Sequence, residues 1–150
     1  MSFKSFSLAA LIATLPLGAA ADIMIMDPYA RASSPAAKAG AAFMVLHNTG
    51  DQDDRLIGVS SDVSKLTQLH THIDDGNGVM KMTHVEDGFE IKAGEKLMLE
   101  RGGHHVMVMG LNDSLDQGEM ISVTLTFENA GDKVVEIPVD LKRKAKGHGH

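Results

Sequence analysis

Short runs of alternating hydrophobic and polar residues follow one another along the chain and predict an all-β fold. The clearest run covers residues 120–128, where Ile121, Val123, Leu125 and Phe127 alternate with Ser or Thr. A period of two residues places all four apolar side chains on one face of a strand. Glycine, asparagine and aspartate separate the runs and favour turns. We predict eight strands, at residues 42–48, 55–60, 67–74, 79–85, 96–100, 105–111, 120–128 and 133–139.

The pattern contains no long amphipathic helix, and only residues 63–69 are compatible with a turn of helix. Many short strands separated by turn residues are typical of an antiparallel sandwich or barrel. The hydrophobic fraction of 43% in 150 residues is that of a globular protein and allows one domain. We therefore expect a single antiparallel β-sandwich or Greek-key barrel.

The first 21 residues differ in character from the rest of the chain. Lys4 is their only charged residue, an apolar run follows, and three alanines precede Asp22. The apolar run is too short for a comfortable membrane span and is typical of a secretory signal. We expect a signal peptide at 1–21, a domain at 22–141, and a flexible basic tail at 142–150 that ends in GHGH.

Charge and cysteine content narrow the classes of partner. The formal net charge is −6 and becomes more negative when Lys4 is removed, which disfavours nucleic acid or anionic lipid as a partner. No second apolar run follows the signal, so we expect no membrane insertion. The chain has no cysteine. An exported form would therefore fold without disulfides and without a lipid anchor on cysteine.

Histidine and methionine recur in phase on the two strands that flank the loop signal DDGNG. His70 and His72 share one face of their strand, and Met80 and Met82 share one face of the next. A hairpin centred on Gly76 would place His70 across from Met82 and His72 across from Met80. Opposed Cβ atoms would then lie about 4.5–5.5 Å apart, close enough for both side chains to reach one ion.

The stretch GGHHVMVMGL repeats this pattern. His105, Met107 and Met109 alternate with Val106 and Val108, which supply the apolar face that a core requires. A single methionine on a strand usually fills a gap in the core, and a single histidine usually lies at the surface. Two in-phase pairings of histidine with methionine instead favour a shared metal site.

The donor chemistry indicates copper. Thioether sulfur is soft and neutral, so it suits Cu(I) and binds zinc, calcium or magnesium poorly. Blue-copper electron transfer requires a cysteine thiolate, which the chain lacks, and no HExxH zinc motif is present. The acidic residues Asp51, Asp53 and Asp54 lack the calcium-loop spacing and are interpreted as a solvated turn.

These residues also carry a family resemblance. The chain resembles the periplasmic copper chaperones of the PCu(A)C type, whose pattern is a His, a later Met and a His-x-Met within a phrase like GGxHVMLMGL. YARASSPAAKAGAAFMVLHN looks like the first strands of that family, and the resemblance extends to Val139. The matching residues are His70, Met82, His105 and Met107. Each interval between the matched groups is one residue longer than in the family pattern, and the additional residues fall in turns.

The resemblance implies a cupredoxin-like fold and a Cu(I) site made of His70, Met82, His105 and Met107. It also implies a periplasmic location and delivery of copper for cytochrome c oxidase assembly, to the copper-centre subunit or to a Sco-type copper or thiol protein. The longer intervals leave Met80 as an alternative to Met82. The secondary candidates are His72, Met80, His104, Met109, His148 and His150, the last two for a second ion, Cu(II).

No nucleophile, general base pair or cofactor loop is evident, so we do not expect an enzyme. Two alternatives remain at this stage. A metal-free exported interaction module would use the methionine-rich face as a binding patch. A copper-dependent redox protein would need an open coordination position and a substrate pocket.

Overall fold

The computed structural model describes residues 22–144. These residues fold into two antiparallel sheets. Expectations for the signal peptide at 1–21 and for His148 and His150 lie outside the described residues. The strands are β1 Ile23–Ala32, β2 Ala39–Asn48, β3 Asp54–Ser60, β4 Ser64–Asp74, β5 Met80–His84, β6 Phe89–Ile91, β7 Lys96–Leu99, β8 His105–Leu111, β9 Met120–Phe127 and β10 Gly131–Pro138.

The first sheet has the strand order β1-β2-β8-β4-β5, and β7 pairs with β2 alongside β8. The second sheet has the order β10-β9-β3-β6. All pairs of strands are antiparallel. The part of the chain that the structure describes has no helix, and accordingly none long and apolar enough to cross a membrane. The predicted all-β antiparallel sandwich is confirmed.

The core lies between the two sheets and follows the predicted alternation. Ile121, Val123, Leu125 and Phe127 of β9 are each at most 5% exposed. They belong to one cluster with Val106 and Val108 of β8, which are fully buried. Burial of each such side chain contributes about 1.5–3 kcal/mol. The inward faces of β8 and β4 are thus fixed by the core, and the other alternate residues must lie on the outer face.

Two strands escaped the sequence prediction. β1 carries the sequence IMIMDPYARA, in which Asp27 and Pro28 interrupt the pattern at an irregularity between Met26 and Tyr29. β6 is only three residues long. The proposed helical turn at 63–69 is wrong, because this segment pairs with β8 from Ser64 onward. Backbone hydrogen bonds to a distant strand outweigh the weak local preference there.

The interpretation of the acidic segment as a solvated turn is wrong for one of its residues. Asp54 is only 3% exposed. Its Oδ1 accepts hydrogen bonds from the backbone N–H groups of Arg55 at 2.8 Å and Asn129 at 2.9 Å, and its Oδ2 from that of Ala130 at 3.0 Å. Asp51 and Asp53 are exposed. Asp54 therefore ties β3 to the turn between β9 and β10.

Candidate metal centre

Three neighbouring strands, β8, β4 and β5, place histidines and methionines on the outer surface of the first sheet, which we call the site face. His70 of β4 lies across from His105 of β8, and Gln68 lies across from Met107. On the other side of β4, His72 lies across from Met82. The predicted sharing of one face is therefore correct. Val106 and Val108 provide the reason, because their burial turns the alternate residues of β8 outward.

The predicted hairpin register is wrong by two positions. His70 lies across from His84 and His72 across from Met82, where Met82 and Met80 were expected. The loop is centred on Asn77, because Asp75 N donates to Val79 O at 3.0 Å and the intervening Gly76 and Gly78 both have positive φ. A shift by an even number keeps each side chain on its face, whereas a shift by one would have reversed it.

His105 is oriented by the backbone of the loop before it. Its Nδ1 donates to the carbonyl oxygen of Gly103 at 2.9 Å. A carbonyl only accepts, so Nδ1 carries the proton and Nε2 keeps its lone pair. His105 is 2% exposed and lies beside the ring of Phe43, with centroids 6.2 Å apart. This arrangement of one tethered nitrogen and one free nitrogen is the usual one for a metal-binding histidine.

His72 is held in the same way as His105. Its Nδ1 donates to the same carbonyl of Gly103 at 3.3 Å, so its Nε2 also keeps a lone pair. The two ring centroids are 5.3 Å apart. One carbonyl oxygen thus prepares two neighbouring imidazoles as nitrogen donors.

An open cleft of about 420 Å³ adjoins these imidazoles. His72, Met82, His105 and Met107 all line it, and Met82 is 45% exposed. The remaining lining includes Phe43 and the arginines Arg31 and Arg101. Sequence analysis had not singled out these three residues. Phe43 sits on a predicted strand, but no sequence signal places either arginine at the site.

His70 stands on the site face behind this cleft and does not line it. It is 9% exposed, and its Nε2 donates to Gln68 Oε1 at 3.0 Å. The lone pair is then on Nδ1, which is buried and has no hydrogen-bond partner among residues 22–144. Its ring centroid is 5.9 Å from that of His105 and 5.9 Å from that of His84.

The secondary candidates within the described residues lie apart from the cleft, with the exception of His72. His104 hydrogen-bonds Thr71 Oγ1 through Nδ1 at 2.9 Å and packs on Phe89 of the second sheet, with ring centroids 4.3 Å apart. Met80 lies across from Asp74 at the end of the hairpin and is 55% exposed. Met109 is on the site face across from Leu66, farther along β8.

Electrostatics favour neutral imidazoles at the site. Burial lowers the pKa of His105, with smaller effects in the same direction from His72 and His104, while the hydrogen bond to Gly103 opposes them. Burial also lowers the pKa of His70, followed by the influence of His105 and His84. A neutral imidazole is the form that binds a metal.

The donor set has a soft character. No three His, Asp or Glu side chains within residues 22–144 are grouped so that they could hold an ion by themselves. The cleft instead combines two imidazole nitrogens with two thioether sulfurs. All four donors are neutral, so this set suits Cu(I) better than a divalent hard ion.

A stack of side chains supports the site from the edge of the sheet. The Arg143 guanidinium lies 4.2 Å from the centroid of the Tyr29 ring and pairs with Asp27. Tyr29 packs against Phe43 with centroids 5.1 Å apart, and Phe43 in turn contacts His105. Arg143 belongs to the segment assigned to the tail, so this part of the C-terminal segment is held next to the site.

Comparison with known proteins gives a family match and several similar folds. The model of a family described as "Putative lipoprotein LpqE-like" matches residues 23–139. A putative lipoprotein of Leifsonia xyli is 39% identical over 99 residues, which cover 66% of this chain and 59% of that protein. An uncharacterised protein of Rickettsia prowazekii is 27% identical over 126 residues, which cover 82% of this chain and 69% of that protein.

Two of the similar solved structures contain copper: a PCuAC domain and the Cu(I) form of a protein from Deinococcus radiodurans. The copper-bound PCuAC domain from PmoF2 superposes with a TM-score of 0.66 at 25% identity, and the match covers 82% of this chain and 96% of that domain. The solution structure of the Cu(I) form of DR1885 from Deinococcus radiodurans superposes with a TM-score of 0.61 at 30% identity, covering 80% of each chain. The cupredoxin-like β-sandwich expected from the sequence is therefore the fold of this chain.

Proposed function

The chain belongs to the LpqE-like family, and from that premise we propose that it is a copper chaperone, which binds copper in the cleft of the site face and passes it to another protein. The observation that carries this proposal is the meeting of two thioethers and two tautomer-fixed imidazoles in one open cleft. The similarity to copper-bound PCuAC domains supports it.

The proposed ligands are Met82, Met107, His105 and His72. The resemblance to the PCu(A)C pattern favoured His70 as the fourth ligand, and the expected register placed it across from Met82. The observed register gives that position to His72, which also lines the cleft and shares the Gly103 carbonyl with His105.

Cu(I) is the proposed cargo. Thioethers bind the monovalent ion well and carry no charge, while Cu(II) prefers a larger share of nitrogen or oxygen donors. The lowered pKa values of His105 and His70 keep these imidazoles neutral. The protein therefore requires no proton release from them when the ion arrives at neutral pH.

Transfer follows from the openness of the cleft. Met82 is 45% exposed and lies on the edge strand β5, so it is the donor that an incoming ligand can displace first. A cysteine, histidine or methionine of the recipient then replaces the remaining donors one at a time. The proposed recipients are the copper-centre subunit of cytochrome c oxidase or a Sco-type copper or thiol protein.

The proposed location is the periplasm. Residues 1–21 have the pattern of a secretory signal, and a relative that is 39% identical is named a putative lipoprotein. The match spans 59% of that relative's length, so the location and the partners are part of our proposal.

The decisive experiment is an anaerobic Cu(I) titration followed by X-ray absorption of the product. We expect one tightly bound Cu(I) per chain with a mixed shell of nitrogen and sulfur. Absence of Cu(I) binding would favour a metal-free interaction module, and a shell without sulfur would reject the thioether site. Steady turnover of the copper form with a reductant would instead favour a redox enzyme.

A further inference from the structure

Two arginines stand in the wall of the cleft, although the chain as a whole is acidic. Arg31 of β1 and Arg101 of the loop between β7 and β8 line the cleft, and among residues 22–144 no Asp or Glu lines it. The formal net charge of the chain is −6. The cleft is therefore a positive patch on a negative molecule, and the donor set of the proposed function does not use it.

Neither guanidinium is paired with a carboxylate of the described part of the chain. The ion pairs among residues 22–144 are made by Arg143 and by Lys81. Arg101 Nη1 donates instead to the carbonyl oxygen of Arg143 at 3.5 Å. A Cu(I) ion held by neutral donors would add a third positive charge at the same place. Positive charges gathered in this way repel one another and favour an anionic group between them.

Strand register places Arg31 within reach of a molecule that binds over the copper donors. Arg31 lies across from Ala41 on β2, and Ala41 lies across from Met107 on β8. Two strand spacings of about 4.8 Å each thus separate the backbones of Arg31 and Met107. Ala41 contributes only a methyl group between them. The floor of the cleft is low there, and its volume of about 420 Å³ is in the range of ligand pockets.

Arg101 belongs to the loop that orients the imidazoles. Glu100 N donates to His104 O at 2.8 Å, and Gly103 N donates to Glu100 O at 3.1 Å, which closes the loop tightly. The Gly103 carbonyl accepts from both imidazoles of the cleft. A partner that binds the Arg101 side chain is therefore brought next to the copper donors.

We propose that Arg31 and Arg101, which we call the arginine pair, bind carboxylates of the protein that accepts copper. The recipient then docks with an acidic segment that flanks its copper-binding side chains. Guanidinium groups bind carboxylates through paired, charge-assisted hydrogen bonds. Complementary charge also steers the encounter and raises the association rate more than the final affinity. This inference rests on the proposed function, because it names the chemistry of the partner for the same cleft.

Charge distinguishes this occupant from the other candidates. Residues 142–150 are rich in Lys and Arg and contain no Asp or Glu, and this segment starts beside Arg101. The C-terminal end therefore adds to the positive field of the cleft. A second copy of the chain carries the same net charge of −6, and like net charges oppose self-association.

The test compares two peptides that differ only in charge. Both contain the same pair of cysteines as copper acceptors, flanked by glutamates in one peptide and by glutamines in the other. The protein is loaded anaerobically with one equivalent of Cu(I), and stopped-flow absorbance records the rate of transfer to each peptide. At low ionic strength we expect transfer to the glutamate peptide to be about tenfold faster or more. The ratio of the two rates should shrink in about 1 M salt, which screens the charges.

Arg31→Gln and Arg101→Gln are the test variants, and Arg55→Gln is the matched control. Each substitution removes one positive charge, but Arg55 lies on β3 of the second sheet, where its guanidinium donates to the carbonyl oxygen of Asp87 at 3.1 Å. A tenfold preference shared equally by two charges loses about threefold with each. The ratio of the two rates should therefore fall by about threefold in each test variant and keep the parent value in Arg55→Gln.

A second measurement detects docking without copper. The glutamate peptide, with serine in place of both cysteines, is added to the isotope-labelled copper-free protein, and NMR records the amide shifts. We expect the shifts to concentrate at the arginine pair and its neighbours in the cleft. Sedimentation of the same samples reports the oligomeric state.

Three results would overturn the proposal: equal transfer rates for the two peptides, an equal ratio of rates in the test variants and in Arg55→Gln, or NMR shifts outside the cleft. A dimer that forms through the cleft would identify a second copy as the occupant and would also overturn it. Failure of the parent to bind Cu(I) would reject the proposed function in the loading step. The NMR titration would then still decide the docking surface, since shifts at the arginine pair would support it.

Discussion

His72 lies directly across from Met82 in the β4–β5 hairpin, and both side chains line the same cleft. This pair joins the edge strand of the first sheet to the imidazole that shares a carbonyl with His105. The register determines which of two histidines on one strand face lies directly across from the Met82 thioether. His70 instead lies across from His84.

Replacement of His72 should therefore impair Cu(I) binding more than replacement of His70. We expect His72→Asn to weaken Cu(I) affinity by at least about tenfold, the scale on which metal sites respond to altered ligand shells. His70→Asn should have a smaller effect, because its side chain does not line the cleft. Anaerobic competition with a Cu(I) chelator measures both. The opposite ranking would restore His70 as the ligand.

Met107→Leu should separate copper binding from stability. Leucine keeps the volume and the apolar character, so the free energy of unfolding should fall by less than about 1.5 kcal/mol. Loss of the thioether should weaken Cu(I) binding and reduce the sulfur contribution to the X-ray absorption spectrum. Met109→Leu is the control on the same strand face, outside the cleft. Equal effects of the two substitutions would contradict the assignment of Met107.

Asp54→Ala should destabilise the protein without affecting copper. Asp54 is 3% exposed, and its carboxylate accepts hydrogen bonds from three backbone N–H groups. Hydrogen bonds to charged groups contribute about 1.5–3 kcal/mol, so we expect a loss of about 3 kcal/mol in urea unfolding. Asp51→Ala, at an exposed position, should be nearly neutral. A stability unchanged in Asp54→Ala would show that the turn does not depend on this carboxylate.

The stability of the copper-free protein should decrease as the pH falls below 6.5. Burial holds the pKa values of His105 and His70 below the ordinary value of 6.5. Between the lowered pKa and 6.5 the unfolded chain then binds more protons than the folded one. The free energy of unfolding therefore rises with pH in that interval and decreases on acidification.

Urea titrations between about pH 7.5 and 5.5 measure this dependence. His105→Gln should flatten the profile, because it removes the more deeply buried of the two groups. An unchanged slope in that variant would attribute the pH dependence to other residues.

Deleting the chain from Lys146 onward should lower Cu(II) affinity or stoichiometry and leave Cu(I) binding nearly unchanged. The loss should be most visible above about pH 6.5, where imidazole is neutral. The preceding segment starts beside the cleft, since the Arg143 carbonyl accepts from Arg101 Nη1 at 3.5 Å and Arg101 lines the cleft. Equal Cu(II) binding by the truncated and intact proteins would show that His148 and His150 take no part.

The amino-acid sequence alone determined the β-sandwich and the phase of the site. The alternation in β9 and the valines of β8 each specify a buried face, because a period of two leaves only two orientations for a strand side chain. His105 and Met107 therefore had to lie on the opposite face, as observed. The same local rule could not reveal β1, where a bulge at Asp27 and Pro28 conceals the period.

Only the tertiary structure decided which of the in-phase residues meet. The register of the β4–β5 hairpin depends on where the loop closes, and both Gly76 and Gly78 can adopt the positive φ that a tight loop requires. Pairing of β8 with β4, and the single carbonyl of Gly103 that orients His72 and His105, arise between segments distant in the chain. Strand periodicity specifies a face but contains no information on the register between strands, so the pairing of Met82 with His72 and of His84 with His70 required the folded protein.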